Sequence, residues 1–154
     1  MAKGNANKRV EIRQSLAYLG MDILSQREAG IEADPEENGS TFEENALIKA
    51  RAVRSIAAGM EENKDAVILA DDSGLEIDHL NKEPGIYSAR YMGTDTSYDI
   101  KNNALLERLE GVPDEERTAR FVCAIAAAFP DGTEEVVRGT MEGRIGHAIA
   151  GGQG

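Results

Sequence analysis

Cysteine is almost missing from this chain: Cys123 stands alone among 154 residues. An internal disulfide is therefore excluded, and the two histidines, His79 and His147, are too few and too far from it for a zinc-type cluster. Tryptophan is absent and aromatics reach only 5%. No apolar run approaches the ~20 residues of a membrane span, and Met1-Ala2-Lys3-Gly4 has no apolar secretion core. Cations are scarce too, with 17 Lys+Arg against 28 Asp+Glu and a net charge of −11. That balance argues against a nucleic acid polymer as partner, since clustered cations are needed to displace its counterions. A protein of the reducing cytoplasm, free of membrane, is expected.

With 41% hydrophobic residues there is material for a core. No repeat, linker or composition break divides the chain, so one domain over 1–154 is expected. Ile12, Leu16 and Leu19 recur at helical spacing between Asn7 and Leu19, with Gly20 as a cap. A short strand over Met21–Leu24 and an acidic loop from Glu32 to Gly39 come next. The clearest helix follows: Ser40 with Glu43 and Thr41 with Glu44 both fit the S/T-x-x-E capping box, and Phe42, Ala46, Ala50, Val53 and Ala57 line one face before Gly59. Ala66–Ala70 reads as a buried strand that ends in Asp71-Asp72-Ser73-Gly74, with a second strand over Leu75–Leu80 and a turn at Pro84-Gly85. Ile100, Ala104, Leu105 and Leu109 mark a helix closed by Gly111 and Pro113. Arg120–Phe129 and Glu134–Met141 form a hairpin about Pro130-Asp131-Gly132. The fold class predicted is α/β, a mixed sheet flanked by helices.

Three segments carry possible chemistry. Asp71 and Asp72 sit at a predicted strand end, where open α/β sheets place ligands, and alternation sends only one of them into a site. The pair serves a structural turn, a general base or a hard metal; Mg²⁺ prefers one or two carboxylates and leaves its other positions to water and phosphate. The acidic loop Asp34-Pro35-Glu36-Glu37-Asn38-Gly39 is either a solvated face or a second carboxylate source. Gly4-Asn5-Ala6-Asn7-Lys8, a small-residue turn entering a helix, suits phosphate oxygens through backbone N–H groups and an ammonium, although it is no Walker loop. Cys123, in an apolar run, reads as a packed thiol.

Together Gly4-Asn5-Ala6-Asn7-Lys8 with Glu11, Thr41-Phe42-Glu43-Glu44-Asn45-Ala46 with Lys49-Ala50, Ala70-Asp71-Asp72-Ser73-Gly74-Leu75 and Pro84-Gly85-Ile86-Tyr87-Ser88-Ala89-Arg90-Tyr91 resemble the inosine/xanthosine triphosphate pyrophosphatases. The likeness runs through nearly the whole chain, and Arg120-Phe121 with Cys123 extends it. It implies an elongated mixed α/β sheet with two lobes around a central cleft, a homodimer, and Mg²⁺-dependent hydrolysis of deaminated purine nucleoside triphosphates to monophosphate and pyrophosphate. Residue by residue, it implies Asp72 as proton acceptor and metal ligand, Glu36 as the second metal ligand, and Ser73 as a substrate contact. It further implies Gly4, Asn5, Ala6, Asn7 and Lys8 as the phosphate grip, with Glu44, Lys49 and Asp71 in support. Asp72 would deprotonate a water for attack at the α-phosphorus while Lys8 and the metal absorb the charge of the leaving pyrophosphate.

The chain departs from that family in two places. Only Met1-Ala2-Lys3 precedes the Gly-Asn turn, where a full strand is usual, and the chain stops at Gly151-Gly152-Gln153-Gly154, before the segment that grips the base. Weak, poorly selective turnover is the expectation; the alternative is a fragment that binds nucleotide or a partner without turnover.

Overall fold

The computed structural model describes residues 23–90 and 97–148. The helix predicted over Asn7–Leu19 and the Gly4–Lys8 turn lie outside the described residues. Among the described residues four strands form one sheet: β1 (Ile68–Ile77), β2 (Glu83–Pro84), β3 (Thr118–Ala128) and β4 (Glu134–Arg144), in the order β2-β1-β3-β4. The pairing is antiparallel, and β2 folds back on β1 with Glu76 opposite Pro84 and Ile77 opposite Glu83. Among the described residues two α-helices accompany it, α1 (Phe42–Ala57) and α2 (Tyr98–Arg108). The α/β class predicted from the sequence is the one observed.

The chain divides into two compact units, one holding the described residues up to Asp72 together with Ala124–Arg138, the other holding the remainder. In the first, α1 buries Phe42, Ala46, Ala50, Val53 and Ala57, the stripe read from the sequence. Its steps of three and four residues keep those side chains on one face. Ile31, Ile68, Ala70, Ala124, Ala126 and Ala128 are buried in the same unit. Arginines fasten α1 to the hairpin: Arg54 donates to the carbonyls of Phe129 (3.2 Å) and Pro130 (2.9 Å), and Arg51 forks onto Glu134 at 2.7 and 2.9 Å. The hairpin turn is the one expected, with Gly132 at φ 92° and Asp131 Oδ1 accepting from the Thr133 N–H at 2.9 Å.

In the second unit Ile77, Leu80, Leu105, Leu109, Val112 and Ala119 form the core, with Leu75 and Ile145 packed on it. Gly111, at φ 80°, turns the chain after α2 as predicted. Arg117 is 2% exposed, and its guanidinium donates to four carbonyls: Leu109 (2.7 Å), Val112 (3.3 Å), Ile145 (2.9 Å) and Gly146 (2.7 Å). It thereby satisfies acceptors left open at the end of α2 and binds them to the segment after β4. Arg120 ties β3 to both neighbours, reaching Glu76 at 3.3 Å on β1 and Glu142 at 3.0 Å on β4, and also Asp78 at 3.0 Å just past β1.

Three sequence expectations are corrected. The strand predicted over Met21–Leu24 is not seen in its described part: Ile23 and Leu24 are irregular. They precede a single turn in which Ser25 N–H donates to Glu28 Oε1 and Glu28 N–H donates to Ser25 Oγ, both at 3.1 Å. Ser25-x-x-Glu28 is itself a capping box, and its reciprocal bonds favour the turn over extension. The strands predicted over Ala66–Ala70 and Leu75–Leu80 are one strand, which runs through Asp71–Gly74 and gives way to a 3₁₀ turn at Asp78–Leu80. β1 is hydrogen-bonded to β3 as its neighbour in the sheet, and such non-local pairing outweighs the poor strand preference of Asp and Gly. The reversal assigned to Pro84-Gly85 falls earlier, at Asn81 (φ 55°) and Lys82 (φ 68°), and leaves Pro84 in β2.

Replacing Arg117 by methionine takes a donor from four carbonyls, two of them through buried bonds, although that of Leu109 still accepts the Val112 N–H at 3.0 Å. Urea unfolding of Arg117→Met should show a loss of roughly 3 kcal/mol. A loss under about 1 kcal/mol would show that the carbonyls find other donors.

Candidate functional site

The site is assembled at the N-terminus of α1. Thr41 is the N-cap, and its Oγ1 accepts the Glu44 N–H at 3.0 Å. Glu44 reaches back through Oε2 to the Ser40 N–H (2.7 Å) and hydroxyl (3.1 Å). Of the two capping boxes legible in the sequence, Thr41/Glu44 forms. The Ser40/Glu43 pairing does not, because Glu43 instead accepts from Arg138 at 3.1 Å. Gly39 is pressed against this helix start: a Cβ there would lie 2.7 Å from both Glu44 Cβ and Asn45 Oδ1. The absence of a side chain lets the Gly39 N–H donate to Asn45 Oδ1 at 2.8 Å.

Upstream, residues 31–39 belong to no helix or strand, and burial alternates: Ile31, Ala33, Pro35, Glu37 and Gly39 are the more buried positions, while Glu32, Asp34, Glu36 and Asn38 are exposed. Two-residue periodicity therefore turns Glu37 inward and Glu36 out. On β1 the same rule places Asp72 on the face of Ile68 and Ala70, opposite Asp71 and Ser73. Lys49, two turns into α1, meets both carboxylates: Nζ is 3.0 Å from Glu37 Oε1 and 3.5 Å from Asp72 Oδ1. The Lys49 and Asp72 side chains are only 16% and 13% exposed. Asp72 Oδ2 is buried and has no hydrogen-bond partner, and the same is true of Asn45 Nδ2.

Burial pushes the Asp72 carboxyl above the usual aspartate range. Lys49 opposes that shift, Glu37 adds to it, and Asn45 opposes it. The result is a half-desolvated carboxylate with a cation at one oxygen and an open second oxygen, a combination that makes a better base than a free aspartate.

The structure brings Asp72, Lys49 and Glu37 together, and Glu36 is not among them. The even-numbered positions of the loop face solvent, so Glu36 points away. Glu44 is exposed and serves as a capping residue instead of facing inward. Asp71 is half-buried on the opposite face of β1 from Asp72, and Ser73 shares the Asp71 face. Gly4, Asn5, Ala6, Asn7 and Lys8 lie outside the described residues. Ser88 emerges as an anchor in the Pro84–Arg90 segment, accepting from the Leu75 N–H at 2.9 Å and donating to the Gly85 carbonyl at 2.6 Å. Sequence reasoning missed Glu37 and gave Asn45 no role. The alternation Ile31-Glu32-Ala33-Asp34-Pro35 could have found the first, and a polar side chain one turn before Lys49 and beside the apolar stripe could have flagged the second.

Residues 1–154 match the Ham1 family along their whole length. The chain belongs to the Ham1 family. A dITP/XTP pyrophosphatase of Clostridium perfringens is 45% identical over 154 residues, which cover all of this chain and 75% of its own. A dITP/XTP pyrophosphatase of Nitratidesulfovibrio vulgaris is 46% identical over 166 aligned positions, covering 100% and 74%. Among solved structures, the Ham1 protein of Staphylococcus aureus superposes with a TM-score of 0.82 at 36% identity, covering 99% of this chain and 73% of its own. A HAM1 protein from Coxiella burnetii gives 0.82 at 35%, covering 99% and 75%.

Two outcomes test this Ham1 site. Gly39→Ala should lower stability by about 1 to 3 kcal/mol in thermal or urea unfolding, because the added methyl must displace the start of α1. In metal-free protein, carboxyl-detected NMR should place the Asp72 midpoint above that of an exposed aspartate, with Lys49→Met moving it further up and Glu37→Gln moving it down. Since the fold then holds this proton more tightly than the unfolded chain, acidification through the Asp72 midpoint adds stability from this group. A midpoint at or below the ordinary aspartate value would contradict the desolvation account.

Proposed function

We propose that the chain hydrolyses deaminated purine nucleoside triphosphates (ITP, dITP and XTP) to monophosphate and pyrophosphate with Mg²⁺, as a cytoplasmic homodimer that cleanses the nucleotide pool. The names of its relatives support the reaction class and the base. The observation that carries the chemistry is the buried, unpartnered Oδ2 of Asp72 beside an Oδ1 held by Lys49.

The residues present fit Mg²⁺. Among the described residues no group of three or more acidic, histidine or cysteine side chains is gathered. Mg²⁺ asks for less, one or two carboxylates, and Asp72 through Oδ2, with Glu37, would supply them. When bound, the ion neutralises phosphate charge and polarises water and phosphoryl oxygens.

The chain's own groups do the rest. Asp72 accepts the proton of a water whose oxygen bonds to the α-phosphorus. The bond from that phosphorus to its bridging oxygen breaks, and the pair of electrons leaves with pyrophosphate. No covalent intermediate with the protein is needed. Lys49 keeps Asp72 ionised and adds positive charge for a polyanionic substrate. Lys8 with the Gly4–Asn7 backbone is the proposed phosphate grip, and Ser73 a proposed substrate contact.

The test is pyrophosphate release from ITP, XTP, ATP and GTP with and without Mg²⁺. Asp72→Asn should lower turnover of ITP by about 10²- to 10⁴-fold, and Glu37→Gln should raise the Mg²⁺ concentration needed for half-maximal rate. Glu36→Gln should change neither. Orthophosphate as first product, or full turnover in Asp72→Asn, would overturn the reading.

A further inference from the structure

β4 is open to solvent along its entire length, all 11 residues from Glu134 to Arg144 being exposed. Val137 reaches 65% and Met141 74%. The strand closes the order β2-β1-β3-β4, so among the described residues no strand lies beyond it. Two hydrogen bonds fix its register on β3. The Phe129 N–H donates to the Thr133 carbonyl at 2.9 Å beside the turn, and the Ile145 N–H donates to the Arg117 carbonyl at 2.9 Å at the far end. Both strands cover the same number of residues between those bonds, so the ladder runs without a bulge. In an antiparallel ladder alternate residues bond to the neighbouring strand. The odd-numbered residues of β4 therefore turn their N–H and C=O groups toward β3, and the even-numbered ones, from Glu134 to Arg144, turn theirs away. A long edge of this kind is a template for another strand, and natural sequences blunt it with proline, lysine or a bulge. β4 has neither proline nor lysine, and its ladder has no bulge.

We propose that β4 pairs antiparallel with β4 of a second copy of this chain, about a two-fold axis at Gly139. The inference rests on the homodimer proposed above and names the face through which it forms. A strand that pairs with itself across a two-fold axis sets one residue opposite itself, and the residues at equal steps on either side then meet. With Gly139 at the centre, Glu134 faces the partner subunit's Arg144, Val137 faces the partner subunit's Met141, and each pair occurs twice. No like charges stand opposite. Arg51 holds the Glu134 carboxylate in place at 2.7 Å. Neighbouring centres are poorer: one at Arg138 sets that arginine against itself and Glu134 against the partner's Glu142, while one at Thr140 leaves Val137 and Met141 facing glycines. Cross-strand apolar and opposite-charge pairs are what stabilise a sheet. Phe121, 46% exposed, stands opposite Met141 on β3, so the apolar row continues from Phe121 through Met141 to the partner's Val137. Even-numbered residues oppose even-numbered residues in this register, which brings the outward N–H and C=O groups of the two edges together.

Sedimentation velocity of the parent chain over a range of concentrations should show a monomer–dimer equilibrium. Hydrogen exchange should protect the Thr140, Glu142 and Arg144 amides at high concentration and release them on dilution. Thr140→Pro removes an outward N–H and no bond to β3, and it should weaken the dimer by at least about tenfold. Gly139 has room for a side chain. Gly139→Cys, in a Cys123→Ser background that removes the thiol directly across on β3, should therefore cross-link to its own copy under mild oxidation. Gly143→Cys in the same background, facing the partner subunit's Glu135, should cross-link at least about tenfold more slowly. Equal rates at the two positions, or a folded Thr140→Pro dimer as tight as the parent, would overturn the proposal and leave a homodimer formed by another face. A parent chain that is monomeric at every concentration would overturn the face and the homodimer together. Protection of the same amides in the monomer would show that another part of the chain covers the edge, and would also overturn it. If Thr140→Pro does not fold, the cross-linking rates decide.

Discussion

The Lys49 ammonium is the constraint on which the site depends. It stands 3.0 Å from Glu37 and 3.5 Å from Asp72, two carboxylates carried by segments 35 positions apart in the chain. Without a cation between them, two partly desolvated negative charges would repel, and one would take up a proton. With it, the repulsion is offset, at the sacrifice of some solvation of the groups. The arrangement is therefore sensitive to each member: loss of Lys49 leaves uncompensated acid, and loss of either acid leaves Lys49 with a single partner.

Each of the three side chains comes from a different kind of backbone, and each backbone is fixed by a separate device. Asp72 is held by an interior strand, Lys49 by a helix whose first turn is capped at Thr41 and Glu44, and Glu37 by an irregular segment docked through Gly39 onto Asn45. Strand and helix give Asp72 and Lys49 a rigid frame.

Much of this was legible in the sequence, and the reasons for the failures are local. The α1 stripe, its Thr41/Glu44 cap, the hairpin at Pro130–Gly132 and the Gly111 turn all follow from short-range rules that tertiary context did not override. Glu36 was preferred to Glu37 because a motif was matched by counting from a glycine, whereas the loop's alternation, visible from Ile31 to Pro35, decides which carboxylate turns inward. The break expected at Asp71–Gly74 was wrong for the opposite reason: local propensity indicated a turn, but non-local pairing supplied the strand. Nothing in the local pattern could report that β1 would pair with β3. The Arg117 carbonyl cluster was equally invisible, since its four acceptors are backbone groups with no signature in residue type.

The continuous strand changes what the Asp-Asp-Ser-Gly segment means. Along β1 the buried positions are Ile68, Ala70 and Gly74 and then Ile77, with Leu75 packed on the same core as Ile77, so the burial pattern changes parity after Gly74. Asp72 lies in the even-numbered series, between Ala70 and Gly74. A carboxylate at this point can occupy a core-facing position without sitting in the middle of a core, which accounts for its being only 13% exposed and yet able to keep one oxygen for chemistry. Two adjacent aspartates in one strand are thus not redundant: the alternation of the backbone gives Asp72 the Lys49 side and Asp71 the other, and exchanging their environments would require a one-residue slip of the entire strand.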